Sequence, residues 1–176
     1  GGSTLVRTPG FDRIAREGAH FTHAFASCPS CTPSRTVVLT GRHVWQVAEG
    51  GVLYGTLERA YPPFPHALAD AGYFCGWTGK GWGPGEWEPG GLTRPPIGRE
   101  YNARRQDPVP DAALDPRDYA ANFDAFLRDR PAGAPFFFWF GATEPHRVYE
   151  KGAGLRAGKR LENVRVPPYW PDTAEV

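Results

Sequence analysis

Two stretches of this chain share one order of elements, a short helix followed by a short apolar strand, and this order most constrains the fold. Residues 64–72 predict a helix that ends at Gly72, and residues 73–78 predict a buried strand. Residues 118–127 predict another helix, and residues 135–141 (Pro-Phe-Phe-Phe-Trp-Phe-Gly) predict a central strand covered on both faces. Repeated helix–strand units are typical of an α/β sheet.

A further helix is predicted near the start of the chain. Thr8 suits the N-cap, Pro9 suits the first helical position, and Gly18 suits a left-handed C-terminal cap. Residues 20–25 alternate loosely, and we interpret them as extended. Residues 83–116 are rich in glycine, proline and arginine, which predicts an irregular insertion, either a functional surface loop or a poorly ordered segment.

Composition narrows the class of protein. The 176 residues suit one domain, and 20 Lys+Arg against 19 Asp+Glu argue against a general nucleic-acid or membrane-surface binder. No apolar run approaches the ~20 residues of a membrane span. Three cysteines do not indicate a disulfide framework. The chain has no methionine, and its sequence stops at Val176 without an evident closing element. We therefore expect residues 1–176 to be part of a single domain that lacks its start and its end.

The segment around Cys31 predicts an anion site. Thr32 suits a helix N-cap, Pro33 the first helical position, and Gly41 the helix end. Cys31 then lies at a helix N-terminus, where unpaired N–H groups and the macrodipole favour negative charge and activate a thiol. Arg35, about one turn later, adds a planar cation suited to oxyanions.

The residues themselves leave other interpretations of Cys31 open. A lone cysteine is by default a buried structural thiol. Cys28 and Cys31 have the spacing of a thioredoxin-type redox pair. A zinc site would require a second pair of ligands, and Cys75 has no evident partner for that role.

Lys80 and His146 each follow a predicted strand. Ligands in open α/β sheets gather beyond the carboxyl ends of the strands, so these two side chains could face one common site. Taken alone, they are more simply interpreted as a solvated turn lysine and a loop histidine.

Several segments together resemble the sulfatase family. Residues 31–42 match, position for position, its signature C-x-P-S-R-x-x-x-L-T-G-R. Residues 8–25 resemble the helix and strand that lead into that signature, and residues 78–80 resemble the family's G-K segment. Residues 144–147 (Glu-Pro-His-Arg) and 166–173 resemble segments of the heparan N-sulfatase (sulfamidase) branch. The resemblance implies an alkaline-phosphatase-like fold, a mixed, mostly parallel sheet flanked by helices, of which this chain is part of the N-terminal catalytic domain.

The resemblance also implies a chemistry. Cys31 would be converted to formylglycine by a formylglycine-generating enzyme, and the hydrated aldehyde would attack sulfur. Arg35 would steady the diol and the sulfate charge, and Lys80 would pair with sulfate oxygens. His146 would contact sulfate or protonate the leaving group, and Arg147 would help to bind substrate.

The resemblance further implies a calcium ion that polarises the sulfate. Cys31, as formylglycine, is the one ligand expected from this chain, because the family's aspartate pairs have no counterpart here. We therefore expect residues 1–176 alone to be inactive. Trp82 stands where sulfatases usually have a histidine, and we interpret it either as a platform for a sugar ring or as a residue whose usual contact another group supplies.

The leading functional hypothesis is hydrolysis of sulfate esters or sulfamates on a sulfated small molecule or glycan. The sulfamidase-like segments favour N-sulfated glucosamine in glycosaminoglycans. The alternatives are a phosphonate or phosphate ester hydrolase of the same superfamily, a CxxC thiol redox protein, and a catalytically inactive binding or structural fragment. Family resemblance suggests an extracytoplasmic location.

Overall fold

The computed structural model describes residues 5–109, 114–146 and 149–173. The chain divides into two compact units, Phe25–Arg147 and a smaller one formed by Gly1–Ala24 with Val148–Val176. The larger unit contains the sheet and the helices that flank it, and the smaller unit is described separately below.

The sheet of the larger unit has three parallel strands. They are β1 (Phe74–Gly79), β2 (Arg99–Glu100) and β3 (Phe136–Gly141), in the spatial order β2-β1-β3. β1 and β3 are paired along their whole length, so Gly79 lies opposite Gly141. Because the strands are parallel, the segments that follow β1 and β3 both leave the sheet on the side of the carboxyl ends of the strands. The predicted α/β class and parallel sheet are confirmed.

Helices cover both faces of β1. The helices of this unit are α2 (Cys31–Thr40), α3 (Phe64–Asp70) and α4 (Tyr119–Asp129), with 3-10 turns at Val44–Gln46 and Ala48–Gly51. Cys75 faces α3, since its Sγ lies 3.7 Å from the Pro65 carbonyl oxygen. Gly76 points the other way, as alternation along a strand requires, and a Cβ there would lie 2.8 Å from the Phe126 ring of α4.

Phe126 is the centre of the apolar core. Its side chain is fully buried, and its ring contacts Phe74, Tyr101 and Phe138 at centroid distances of 4.9, 5.4 and 4.6 Å. Aromatic clusters of this kind bury a large apolar area and fix the relative orientation of the elements that carry them. The ring therefore fastens α4 to β1 and β3.

The described part of segment 83–116 has little regular structure, yet it packs into the larger unit. The segment contributes β2, and its Leu92, Ile97 and Tyr101 side chains are buried. Its backbone also joins the neighbouring chain, because Leu57 N donates to Glu86 O at 2.9 Å. The segment therefore completes one side of the sheet.

β3 is not the doubly covered central strand that the sequence predicted. It pairs with β1 on one side and lies at an edge of the sheet as the described residues form it. Phe136 and Phe140 are 42% and 57% exposed. The prediction was wrong because an aromatic run reports a strong preference for extended backbone, whereas the number of covered faces depends on distant parts of the chain.

The smaller unit contains α1 (Pro9–Glu17), α5 (Ala153–Arg156) and a 3-10 turn at Leu161–Asn163. Gly18 ends α1 in an extended conformation (φ −130°), so the predicted left-handed cap is wrong. The hydrogen bond from Gly18 N to Ile14 O closes the last turn without it. Residues 20–25 are irregular and not extended into a strand.

None of the helices in the described ranges is both long and apolar enough to cross a membrane.

Candidate active site

Helix α2 begins at Cys31 itself. Ser30 is the N-cap, and Ser34 N donates the first intrahelical bond, to Ser30 O at 3.0 Å. Gly41 ends the helix in the left-handed conformation (φ 65°), as predicted. Cys31 therefore occupies the first turn, where backbone N–H groups have no partner within the helix.

The predicted N-cap at Thr32, with Pro33 first in the helix, was wrong by two residues. Thr32 is fully buried, and its hydroxyl accepts a hydrogen bond from Gly85 N at 3.1 Å. Because this oxygen is engaged by a distant segment, it does not cap its own helix, and the helix extends back to Cys31.

Lys80 and Cys31 meet directly. Lys80 is the first residue after β1, and its Nζ lies 2.9 Å from Cys31 Sγ. Both side chains are half-buried. The sulfur thus lies between an ammonium group and the positive end of a helix, two features that both favour an anion at this point. The structure brings these two predicted site residues together.

Arg35 ties α2 to the turn after β1. Its Nη1 donates to the carbonyl oxygens of Lys80 and Gly81, at 2.8 and 2.7 Å. Trp139 of β3 donates from Nε1 to the same Lys80 oxygen at 3.2 Å, and the guanidinium lies over the Trp139 ring. Burial lowers the pKa of Arg35, and nearby Cys31 acts in the opposite direction. Arg35 keeps its charge and fixes the backbone of Lys80, while its predicted contact with the diol or the sulfate stays a prediction.

Trp82 contacts α2 from the same turn. Its indole N–H donates to Thr36 Oγ1 at 3.0 Å, and that hydroxyl donates to the Thr32 carbonyl at 2.9 Å. A Cβ at Gly85 would lie 2.8 Å from the Trp82 ring. Through these contacts Trp82 holds α2 against the turn that follows β1.

A close approach of two glycines joins the ends of β1 and β3. Lys80 N donates to Gly141 O at 2.6 Å. Gly79 has φ +79°, and a Cβ there would lie 2.0 Å from the Gly141 oxygen. Asn102 holds the same point, because its side chain accepts from Gly79 N at 2.7 Å and donates to Gly79 O at 3.2 Å. The direction in which the chain leaves β1, and hence the position of Lys80, depends on this junction.

His146 closes a turn that follows β3. Its N–H donates to Thr143 O at 2.9 Å, which is the i to i+3 bond of a β-turn. The turn begins two residues after Gly141, beyond the carboxyl ends of the strands, where Lys80 also lies. His146 is exposed. Arg147, the other residue predicted in this segment, lies outside the described residues.

A hydrogen-bond network with segment 115–119 holds the turn that carries His146. The Tyr119 hydroxyl donates to Glu144 Oε2 and accepts from Thr143 N, both at 3.0 Å. Asp115 N donates to Glu144 Oε1 at 2.7 Å, and the Thr143 hydroxyl donates to Asp115 Oδ2 at 2.8 Å. Arg117 pairs with the same Asp115 carboxylate. The first two residues of the turn are therefore fixed by segment 115–119.

Two groups of this network, Asp115 and Tyr119, have shifted pKa values. Burial raises the pKa of Asp115, but hydrogen bonds from Arg117 N and the Thr143 hydroxyl, with the Arg117 charge, outweigh it and lower the pKa overall. Burial raises the pKa of Tyr119; its hydrogen bonds with Thr143 oppose the rise, and the bond to Glu144 adds to it. Asp115 is therefore held as an anion and Tyr119 as a neutral phenol.

The described part of the chain does not fit a complete metal site. No group of three or more His, Cys, Asp or Glu side chains there is arranged to hold an ion. Calcium would require at least six oxygen ligands. Cys28, Cys31 and Cys75 are all free thiols, so the redox pair considered from the sequence is not a disulfide here.

The sequence that forms this site matches a known protein family. The profile of the Sulfatase family matches residues 1–163, which is most of the chain. The chain belongs to the sulfatase family. The signature segment of this sulfatase-family chain is the one that forms α2 and presents Cys31 to Lys80.

Curated relatives agree with this membership. An N-acetylgalactosamine-6-O-sulfatase of Bacteroides thetaiotaomicron is 37% identical over 83 residues, covering 45% of this chain and 16% of the relative. Human arylsulfatase D is 34% identical over 94 residues, covering 45% and 15%. An N-acetylglucosamine-6-O-sulfatase of B. thetaiotaomicron is 29% identical over 162 residues, covering 83% and 27%.

The aligned part of this sulfatase-family chain thus spans 15–27% of the lengths of these relatives. No solved structure matches it significantly.

Sequence reasoning missed four residues that position the site, namely Asn102, Asp115, Tyr119 and Trp139. Each acts through a hydrogen bond to a segment at least 23 residues away. Tyr119 and Trp139 were within elements predicted from the sequence, but a periodic pattern gives no sign of the partner of an indole or a phenol.

We expect Gly79→Ala to destabilise the protein more than Gly133→Ala. Gly133 has nearly the same φ (+77°), but none of the described atoms would lie within 4 Å of a Cβ there. Both substitutions incur about 1–2 kcal/mol for a left-handed alanine, and Gly79→Ala adds an overpacking cost of about 1–3 kcal/mol. Chemical denaturation of the two variants measures the difference. Equal losses would show that the approach of Gly79 to Gly141 is not tight.

We expect Asp115→Asn to lower the free energy of unfolding at neutral pH by about 1–3 kcal/mol, because charged hydrogen bonds are lost. A carboxyl whose pKa is lowered by folding stabilises above its ordinary pKa, and this stabilisation disappears as pH falls through the folded-state pKa. Denaturation between about pH 7 and pH 3 should therefore show the two proteins converging under acid conditions.

The matched control for this experiment is Asp124→Asn. Asp124 forms an exposed i, i+4 pair with Arg128, so its replacement should cost under ~1 kcal/mol at any pH. A difference between wild type and Asp115→Asn that persists unchanged into acid would contradict the assignment of the effect to the charge of Asp115.

Proposed function

We propose that the protein containing this chain hydrolyses sulfate esters, with residue 31 as the nucleophile in the form of formylglycine. The single observation that supports this most is the 2.9 Å contact between Lys80 Nζ and Cys31 Sγ at the start of α2, in a chain whose family is the sulfatases. A cation and a helix N-terminus together favour a tetrahedral anion at the atom where the nucleophile is attached.

The proposed reaction has two steps. One hydroxyl of the hydrated aldehyde at residue 31 attacks the sulfur of the ester, the bond from sulfur to the substrate oxygen breaks, and the alcohol leaves with a proton. The second hydroxyl then gives up its proton, the carbon–oxygen double bond reforms, and sulfate is expelled. Addition of water to the aldehyde restores the diol.

Each site residue has a role in this proposal that suits its chemistry. Lys80 pairs as a compact charge with the sulfate oxygens, and the Arg35 charge adds to the same field while its bonds hold Lys80 in place. His146 supplies the proton to the leaving oxygen, a role in which the imidazole group serves as a general acid in many enzymes. Arg147 contributes a further cation to substrate binding.

When bound, calcium would polarise the sulfate and favour attack on sulfur. The described residues do not form a site for it, so the roles above are those of this chain's own side chains. Conversion of Cys31 would require a formylglycine-generating enzyme as a partner during biosynthesis.

We propose sulfated amino sugars in glycans as the substrate class. Two of the relatives are named for 6-O-sulfated N-acetylhexosamines, and the Glu-Pro-His-Arg segment at 144–147 resembles the sulfamidase branch, which favours N-sulfated glucosamine. Glycans of this kind are met outside the cytoplasm, which is where we place the protein.

The test is hydrolysis by the purified full-length protein, produced together with a formylglycine-generating enzyme. Aryl sulfate, aryl phosphate, N-sulfoglucosamine and N-acetylglucosamine 6-sulfate are compared as substrates. Turnover of aryl sulfate above aryl phosphate supports the proposal, and the two sugars distinguish sulfamate from ester cleavage. Preference for aryl phosphate would instead support a phosphate or phosphonate ester hydrolase.

We expect Cys31→Ala to lower kcat for the sulfate ester by about 10³-fold or more, because the nucleophile is removed. Cys28→Ala is the matched control and should leave kcat unchanged. Peptide mass analysis of the wild type should show residue 31 with sulfur lost and oxygen gained. Equal loss of activity in both variants, or a disulfide between the two cysteines, would favour thiol redox chemistry.

A further inference from the structure

We infer that Tyr119 is a positioning residue that sets His146 relative to Lys80. The inference rests on the proposed function, in which these two side chains act on one sulfate group. Tyr119 is the first residue of α4, and it contacts both Gly79 at the end of β1 and the turn that follows β3.

The ring of Tyr119 packs against the ends of both strands. A Cβ at Gly79, the last residue of β1, would lie 3.2 Å from Tyr119 Cε1. The same ring meets Phe140 of β3 edge to face, with centroids 5.3 Å apart and an interplanar angle of 78°. The ring therefore keeps a fixed relation to the residue before Lys80 and to the strand that leads to His146.

The hydroxyl of Tyr119 holds the turn after β3. It donates to Glu144 Oε2 and accepts from Thr143 N, so both functions of the phenol are used on adjacent residues of the turn. Glu144 is held at its other oxygen by Asp115 N. Removal of the hydroxyl leaves the Thr143 N–H and one Glu144 oxygen without this partner, and the turn becomes free to shift.

The turn transmits its position to His146. Thr143 O accepts from His146 N, so the backbone of the histidine follows that of Thr143. Misplacement of a catalytic group by about 1 Å can reduce a rate roughly 100-fold. Tyr119 does not need to touch the substrate to affect catalysis, since it acts through His146.

The experiment compares Tyr119→Phe with Tyr101→Phe in the full-length protein. Tyr101 is a matched control, because its hydroxyl donates to Asp129 Oδ2 at 3.0 Å and its ring packs edge to face on Phe126. Tyr119→Phe should lower kcat for sulfate esters about 10- to 100-fold with little change in KM. Tyr101→Phe should leave both parameters close to wild type.

A double-mutant cycle separates positioning from a general structural effect. In the background of His146→Ala, Tyr119→Phe should change kcat by no more than about twofold, because its effect passes through the absent imidazole. If the two effects multiply in the double variant, Tyr119 acts independently of His146 and the inference is wrong.

A second readout does not depend on turnover. In protein labelled with 13C at histidine, the ring signal of His146, assigned with His146→Gln, should move in Tyr119→Phe and stay in Tyr101→Phe. A His146 signal unchanged by Tyr119→Phe would overturn the inference. A wild type that cleaves no sulfate ester, combined with a His146 signal that moves, would overturn the proposed function and leave the positioning role supported.

Discussion

The contact of the Lys80 ammonium group with the sulfur of Cys31 organises the rest of this structure. Lys80 follows a central strand, and Cys31 begins a helix 49 residues earlier in the chain. The two meet because Arg35, one turn into that helix, donates to the carbonyl oxygens of Lys80 and Gly81. A cation that holds backbone carbonyls places a second cation beside the helix N-terminus, and this concentrates positive charge where we propose that sulfate binds.

Two strand ends must approach closely for this arrangement to form. Gly79 and Gly141 lie opposite each other, and a side chain at either would collide with backbone within about 2 Å. The same close approach brings the turn after β3 to the side of the sheet on which Lys80 lies, beyond the carboxyl ends of the strands. Tyr119 packs on one of these glycines and binds that turn, so one side chain links the two halves of the site.

The sequence was most informative where structure is decided locally. Gly41, the strand before Lys80 and the helix that begins near residue 118 were all predicted, because caps and short-range periodicity determine them. The exact start of α2 was not, since Thr32 bonds to Gly85 rather than to its own helix. The bonds of Asn102 and Tyr119 could not be foreseen, because they join segments that only the completed fold brings together. The exposed faces of Phe136 and Phe140 differ from the prediction for the same reason.

The most direct test of an anion site between Lys80 and residue 31 is a crystal structure of the full-length protein grown with sulfate. The account predicts a tetrahedral anion within hydrogen-bond distance of Lys80 Nζ and beside residue 31, with Arg35 still bound to the carbonyl of Lys80. A sulfate-free site in which Lys80 points into solvent, and residue 31 is enclosed by apolar side chains, would contradict it.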